Sequence, residues 1–165
     1  MAARPIEVRR NVPAPMRDGT VLRADLYLPG GAGASPTLVC RTPYDKSRSS
    51  TIPNYERLAQ TGYAVVVQDI RGRWASDGEF HPMFSADWKD AEDGYDTVEW
   101  AAVQPWSNSR VGTFGYSYAA WTQWALAPTR PPHLVAMFTG GMAPHTTDWE
   151  LGGVFRTGRA IPWTL

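Results

Sequence analysis

Apolar and polar positions along this chain switch between a two-residue and a helical period, and the switches mark out the elements. Ile6 to Val12 and Thr20 to Leu28 are rich in β-branched residues and lie on either side of Met16-Arg-Asp-Gly19. Asp18-Gly19 is a hairpin turn signal, so two antiparallel strands are expected to open the fold. Pro29 to Pro36 reads as a loop and Thr37 to Arg41 as a short apolar strand. Asn54 to Gln60 has helical spacing and ends at Thr61-Gly62, where glycine suits a helix C-terminus. Tyr63 to Asp69 is a continuous apolar run, the pattern of a strand covered on both faces. Arg71 to Pro82 is a glycine-rich, charged loop. Asp87 to Val103 follows as a helix, with Trp88, Ala91, Tyr95, Val98 and Ala102 at helical spacing. Its acidic residues Asp87, Asp90, Asp93 and Asp96 fall mostly on other faces, which reads as a solvated surface rather than a metal site. Arg110 to Gly115 is a further strand, Tyr118 to Leu126 a helix and Leu134 to Phe138 another strand. Strands alternating with helices predict an α/β class: a mainly parallel sheet with flanking helices, joined by right-handed crossovers and preceded by the antiparallel hairpin.

Composition narrows the setting. With 165 residues, 43% of them hydrophobic, and 8 Trp, 7 Tyr and 5 Phe, the chain holds one domain's worth of core-forming sequence. Basic and acidic residues balance at 16 each, so nothing points to nucleic acid or to an anionic membrane. No segment approaches the roughly 20 apolar residues that span a bilayer. Charges near the N-terminus occupy the place where a signal peptide needs an apolar stretch, and the expectation is a soluble cytoplasmic protein. The single cysteine, Cys40, lies in an apolar run and reads as inert packing, leaving no internal disulfide and no cysteine metal cluster.

The most informative run is Val111-Gly-Thr-Phe-Gly115-Tyr-Ser117-Tyr-Ala-Ala-Trp121. A strand-forming stretch leads straight into a serine and then into a helix-favouring segment, the layout of a nucleophile elbow. The pattern Gly-x-Ser-x-Gly is incomplete, because its last position is Ala119. A serine that merely caps the following helix is the alternative. Two further unusual segments fall at carboxyl ends of predicted strands, where open parallel sheets gather ligands: Arg41-Thr-Pro-Tyr44-Asp-Lys46, and Asp69-Ile-Arg-Gly-Arg-Trp-Ala-Ser-Asp-Gly-Glu-Phe80.

These three segments, with the opening Pro15-Met-Arg-Asp-Gly-Thr-Val-Leu-Arg-Ala-Asp-Leu-Tyr27, resemble in order and spacing the α/β-hydrolases related to cocaine esterase and the X-Pro dipeptidyl-peptidases (CocE/NonD). The resemblance runs from about Val8 to Phe155 and implies an α/β-hydrolase fold with a serine hydrolase acting on ester or amide bonds through an acyl-enzyme. It implies Ser117 as nucleophile, the Tyr44 hydroxyl as one oxyanion donor and the Tyr118 backbone N–H as a second. Packing of the Tyr44 ring at the base of its loop is the competing reading. After Ser-Tyr the family pattern has one residue and then glycine, and here that position is Ala120. Arg71, Ser76, Asp77 and Gly78 match a family loop and are read as turn formation and local ion pairing. Trp121 and Trp124 are read as core, and Trp149 as a weak candidate for lining a substrate pocket.

A serine nucleophile needs a base and an orienting carboxylate, which in α/β-hydrolases follow it in the order acid, then histidine. After Ser117 come His133, His145 and, behind both, Asp148, so the triad acid and base are not present in the expected order. His133 is expected at the entry of a strand, at the far end of the sheet from Ser117; His145 is the better placed of the two, and His81 matches nothing catalytic. The resemblance puts the acid, the base, a helical cap and a C-terminal β-sandwich past Leu165. The chain therefore reads as the N-terminal piece of a larger hydrolase, with residues 1–145 as the first part of the hydrolase domain and 146–165 as the start of a cap or a truncated tail. The partner expected is a small-molecule ester or amide, and no cofactor or metal is implied. Two other readings remain: an X-Pro dipeptidyl-peptidase as the substrate class, and a non-catalytic α/β module that binds an apolar ligand or partner. A nucleotide site in the Arg71 to Gly78 loop has neither Gly-x-Gly-x-x-Gly nor a Walker pattern to support it.

Overall fold

The computed structural model describes residues 4–31, 33–82 and 87–142, together with two short strands further on. Its centre is a six-stranded sheet in the order β1-β2-β4-β3-β5-β6. β1 (Ile6–Pro15) and β2 (Val21–Pro29) form the expected hairpin, and β2 also pairs antiparallel with β4 (Ala64–Asp69). β3 (Ser35–Thr42), β5 (Ser107–Tyr116) and β6 (Leu134–Gly140) continue the sheet in parallel. β7 (Glu150–Leu151) and β8 (Val154–Phe155) make a separate two-stranded ladder.

Several strands outrun the lengths read from sequence, and each extension has a local cause. β1 continues through Pro13 and Pro15 because it is an edge strand among the described residues, where an N–H facing away from β2 is not needed for pairing. It bulges between Arg9 and Val12, with Asn11 at φ 52°. β3 starts inside the expected loop, at Ser35; Pro36 sits at its first turn of pairing, before the ladder to β4 begins at Thr37. β5 and β6 run on to Tyr116 and Gly140 and so carry the pairing up to Ser117. β6 is the outer strand among the described residues, with Val135 and Phe138 exposed.

Helices cover the two faces. α1 (Ile52–Gln60) opens with Pro53 in its first turn. It closes at Gly62 (φ 106°), with Tyr63 N–H donating to the Leu58 carbonyl and Gly62 N–H to that of Ala59, the paired bonds of a Schellman cap. It packs Tyr55 and Ala59 over Tyr27, Cys40, Val65 and Val67. On the other face, α2 (Asp90–Ala102) and α3 (Tyr118–Leu126) bury Val98, Ala101, Ala102 and Leu126 against Leu26, Val39, Val66 and Val111. All six residues of β4 are buried, as its unbroken apolar run predicts.

α2 departs from the pattern expected of it. The helix begins three residues later than expected, at Asp90, and its buried stripe is Asp90, Asp93, Gly94, Thr97, Val98, Ala101 and Ala102. Two of the four aspartates taken for a solvated face are therefore interior. Two arginines from other elements make that burial tolerable. Arg41 Nη2 lies 3.0 Å from Asp90 Oδ1, and Arg71 Nη2 lies 2.6 Å from Asp93 Oδ1. A buried carboxylate with a close guanidinium partner escapes most of the cost of a lone buried charge. Asp96 meets Arg17 at 2.7 Å, while Asp87 is exposed as expected.

Candidate active site

Ser117 joins the last residue of β5 to the first of α3, at φ 59° and ψ −125°. A non-glycine residue in the left-handed region is strained, and the strain holds because both flanks are fixed. Ser117 N–H donates to the Gly140 carbonyl on β6 (2.9 Å), while the Ser117 carbonyl accepts from Ala120 and Trp121 N–H at 2.9 and 3.1 Å. The side chain makes no capping hydrogen bond to α3, so the helix-cap alternative does not hold. Its Oγ instead lies 3.2 Å from the Tyr44 hydroxyl.

The missing final glycine of the motif is compensated at its first. A Cβ on Gly115 would sit 2.6 Å from Ala119 Cβ and 2.6 Å from the Ala119 carbonyl oxygen. Strand and helix thus cross in contact, and the room that Ala119 occupies is room that Gly115 leaves. Ala120, the next residue, is fully buried.

Tyr44 reaches Ser117 from the loop after β3. Its ring packs beside Ile70, Tyr118 and Trp121. Its N–H donates to Thr42 Oγ1 (3.0 Å), and Trp74 Nε1 donates to the carbonyl of Pro43 (2.8 Å). Beyond Tyr44, Lys46 is buried and donates to Asp69 twice: N–H to Oδ1 at 2.8 Å and Nζ to Oδ2 at 2.7 Å. Lys46 and Asp69 both lie in segments singled out from sequence, yet neither had a role. The signal is an aspartate closing a strand whose first four residues, Ala64 to Val67, are apolar and wholly buried, since a carboxylate at that depth calls for a cation.

Tyr118 begins α3, and its backbone N–H lies at the helix N-terminus, the end whose dipole favours negative charge. Its hydroxyl donates to Asp90 Oδ2 (3.3 Å), which also accepts from Trp88 Nε1 (2.5 Å). Burial pushes the Asp90 carboxyl above the usual carboxylate range, against the opposing pull of Arg41. Beside Ser117 a groove of about 690 Å³ opens between α1 and the sheet, with Tyr44, Tyr55, Leu58, Phe114 and Phe138 among its walls.

The structure brings Ser117, Tyr44 and Tyr118 together and sets His133 apart from them. His133 precedes β6 beside Val111, at the opposite end of the β5–β6 ladder from Ser117, and its Nδ1 lies 2.7 Å from Glu99 Oε2. His81 lies 3.9 Å from Glu79. His145, Asp148, Trp149 and the expected boundary after residue 145 fall outside the described residues. Arg71 pairs with distant partners rather than local ones, Asp93 and Asp18, the latter at 2.8 Å. Ser76 Oγ does serve the turn, donating to the Asp69 carbonyl at 2.7 Å. Trp121 is buried and Trp124 half-buried. Cys40 is buried, and desolvation pushes its thiol pKa up to about 12.

Residues 18–165 match the family model described as X-Pro dipeptidyl-peptidase (S15 family). Among curated proteins, cocaine esterase of Rhodococcus sp. (strain MB1 Bresler) is 44% identical over 124 residues, covering 73% of this chain and 21% of the relative. A putative serine esterase of Mycobacterium bovis is 33% identical over 124 residues, 62% of this chain and 19% of that protein. Among solved structures, a CocE/NonD family hydrolase from Staphylococcus aureus aligns with TM-score 0.70 at 32% identity, over 80% of this chain and 27% of that one. An α-amino acid ester hydrolase aligns with TM-score 0.68 at 33% identity, over 82% of this chain and 25% of that one. The chain thus spans about a quarter or less of the length of these relatives. With an α/β-hydrolase fold and a family match that takes in the Tyr44 loop, the Arg71 loop and the Ser117 turn, the chain belongs to the X-Pro dipeptidyl-peptidase (S15) family.

Proposed function

We propose that this chain supplies the nucleophile-bearing part of a serine hydrolase that cleaves ester or amide bonds through an acyl-enzyme. The observation that carries the reading is the Tyr44 hydroxyl 3.2 Å from Ser117 Oγ, at a strained strand-to-helix turn. In this reading Ser117 Oγ attacks the substrate carbonyl and gives its proton to a base. The tetrahedral oxyanion accepts hydrogen bonds from the Tyr44 hydroxyl and the Tyr118 N–H. Collapse expels the protonated alcohol or amine, and water then releases the acid and restores Ser117. The base and its orienting carboxylate come from outside the described residues.

Small-molecule esters are favoured over X-Pro peptides as substrates, because the 44% identical relative is named as an esterase. The test uses the full-length gene product with a fluorophosphonate probe and p-nitrophenyl esters. One probe adduct by intact mass is expected, absent in Ser117→Ala. Tyr44→Phe is expected to lower kcat by about 100- to 1,000-fold, the usual cost of one oxyanion donor. An adduct that persists in Ser117→Ala removes Ser117 as nucleophile. No adduct on folded protein favours the non-catalytic binding module.

A further inference from the structure

Tyr44 has to bring one hydroxyl to a fixed point from a loop, and a loop alone does not hold atoms to that tolerance. Here both sides of Tyr44 are tied down. On the N-terminal side Trp74 Nε1 donates to the Pro43 carbonyl at 2.8 Å. On the C-terminal side the Asp69 carboxylate takes the Lys46 N–H on one oxygen and Lys46 Nζ on the other. Asp69 Oδ2 also accepts from Ala75 N–H at 3.3 Å, so the carboxylate stitches the Tyr44 loop to the very segment that carries Trp74. The two loops and the end of β4 thereby close a ring of hydrogen bonds around Tyr44.

Two further facts set this ring apart from ordinary packing. Asp45 and Trp74 both occupy the left-handed region, at φ 73° and 52°, so backbone strain is concentrated in the clamp. The Lys46 and Asp69 side chains are 4% and 0% exposed. A buried ion pair is a poor source of stability compared with apolar packing, but separating its partners leaves a buried charge unpaired at a heavy cost, so the two loops it joins resist moving apart. We infer that Lys46, Asp69 and Trp74 are positioning residues that hold the Tyr44 hydroxyl within reach of Ser117 Oγ. The inference rests on the role proposed above for Tyr44.

A double-mutant cycle in the full-length gene product tests it, with p-nitrophenyl butyrate as substrate. Trp74→Phe keeps an exposed ring and removes only the bond to Pro43. Lys46→Met combined with Asp69→Asn removes both charges together and keeps an acceptor for the Lys46 N–H. Each change is expected to lower kcat roughly tenfold with Tyr44 present, since a misplacement of about 1 Å at a reacting centre can cost on the order of 100-fold and a smaller shift costs less. KM should stay nearly unchanged, as for an interaction made in the transition state. With Tyr44→Phe already in place, the same changes should cost less than about twofold, because the group they position is gone. Equal losses in both backgrounds would make the clamp merely structural and overturn the inference, as would unchanged kcat for both variants. If the paired variant does not fold, Trp74→Phe decides. Should Tyr44→Phe alone leave kcat intact, the role of Tyr44 falls first, on a separate leg of the cycle, and the inference falls with it.

Discussion

Gly115→Ala sets two well-known effects against each other. Gly115 is not among the glycines with positive φ, so alanine fits its backbone, and such a change ordinarily stabilises by about 0.4–1 kcal/mol through the unfolded chain. The surroundings argue the other way. The new Cβ would meet Ala119 Cβ at 2.6 Å, the Ala119 carbonyl oxygen at 2.6 Å and its carbonyl carbon at 2.8 Å. Ordinary contact between such atoms is about 3.5–4.0 Å, so the shortfall is about 1 Å against helix backbone, not against a flexible side-chain tip. Overpacking of that kind costs about 1–3 kcal/mol, at the upper end when backbone must move. The clash wins, and a net loss of about 1–2 kcal/mol is expected. Adding Ala119→Gly should recover only part of it, because the carbonyl oxygen remains in the way. Urea unfolding of the full-length gene product, followed by tryptophan fluorescence, gives the midpoint. The shifted helix also carries Ser117, so labelling by a fluorophosphonate should slow by more than about tenfold in the folded variant. A midpoint equal to or above that of the parent would show that strand and helix do not cross in contact, and the account of Ala119 would be wrong.

Arg71 beside Asp18 holds that carboxyl down, with the Thr20 N–H assisting, at a pKa of about 2 against an ordinary 3.8. A depressed carboxyl adds stability above its ordinary pKa and loses it as pH falls through the folded value. Asp18 is 44% exposed, so the contribution is below about 1 kcal/mol. Asp18→Asn should therefore lag the parent by a constant amount from pH 7 to about 4, and the gap should close toward pH 2; a gap independent of pH refutes the pairing. Arg71→Met strips the Asp93 carboxylate, 2% exposed, of its 2.6 Å partner. The expected cost is about 3 kcal/mol in urea unfolding, reduced when Asp93→Asn is added, and a cost below about 1 kcal/mol would mean the charge is not truly buried. Cys40, with its thiol pushed up to about 12 by burial, should react with a disulfide reagent only as fast as the protein unfolds; prompt reaction in native buffer would contradict its burial.

Local chemistry carried the reading of the fold where one element decides its own state. The Asp18-Gly19 turn, the unbroken run into Asp69 and the strand leading into Ser117 each contain their own signal, and each is found where it was placed. Strand ends were less legible, because pairing decides them. Pro36 looks like loop chemistry until Ser35 finds Ser107 on β5, and β1 tolerates two prolines because it is the outer strand of the sheet among the described residues. Of the candidate site, resemblance singles out Ser117, Tyr44 and Tyr118, and the structure sets the Tyr44 hydroxyl 3.2 Å from Ser117 Oγ, whereas nothing in the sequence announces the hydrogen bonds on either side of Tyr44. Lys46 and Asp69 are 23 residues apart, and only the parallel pairing of Thr42 with Asp69 brings them face to face.

The aspartates of α2 are another case in which partners from elsewhere in the chain decide burial. Hydrophobic periodicity assigns aspartate to solvent, since a carboxylate pays heavily for burial. Asp90 and Asp93 are interior because Arg41 arrives from the end of β3 and Arg71 from the loop after β4, and neither arrival is visible in the helix itself. Those two arginines belong to the segments that also carry Tyr44 and Trp74, and Asp90 in turn accepts the hydroxyl of Tyr118, next to Ser117. A motif position read alone, such as Ala119 in place of glycine, looks like a defect; read with Gly115 against it, it is one half of a contact. The interior carboxylates work the same way: each alone would be a costly buried charge, and each is tolerated because an arginine from another segment meets it, Arg41 at Asp90 and Arg71 at Asp93.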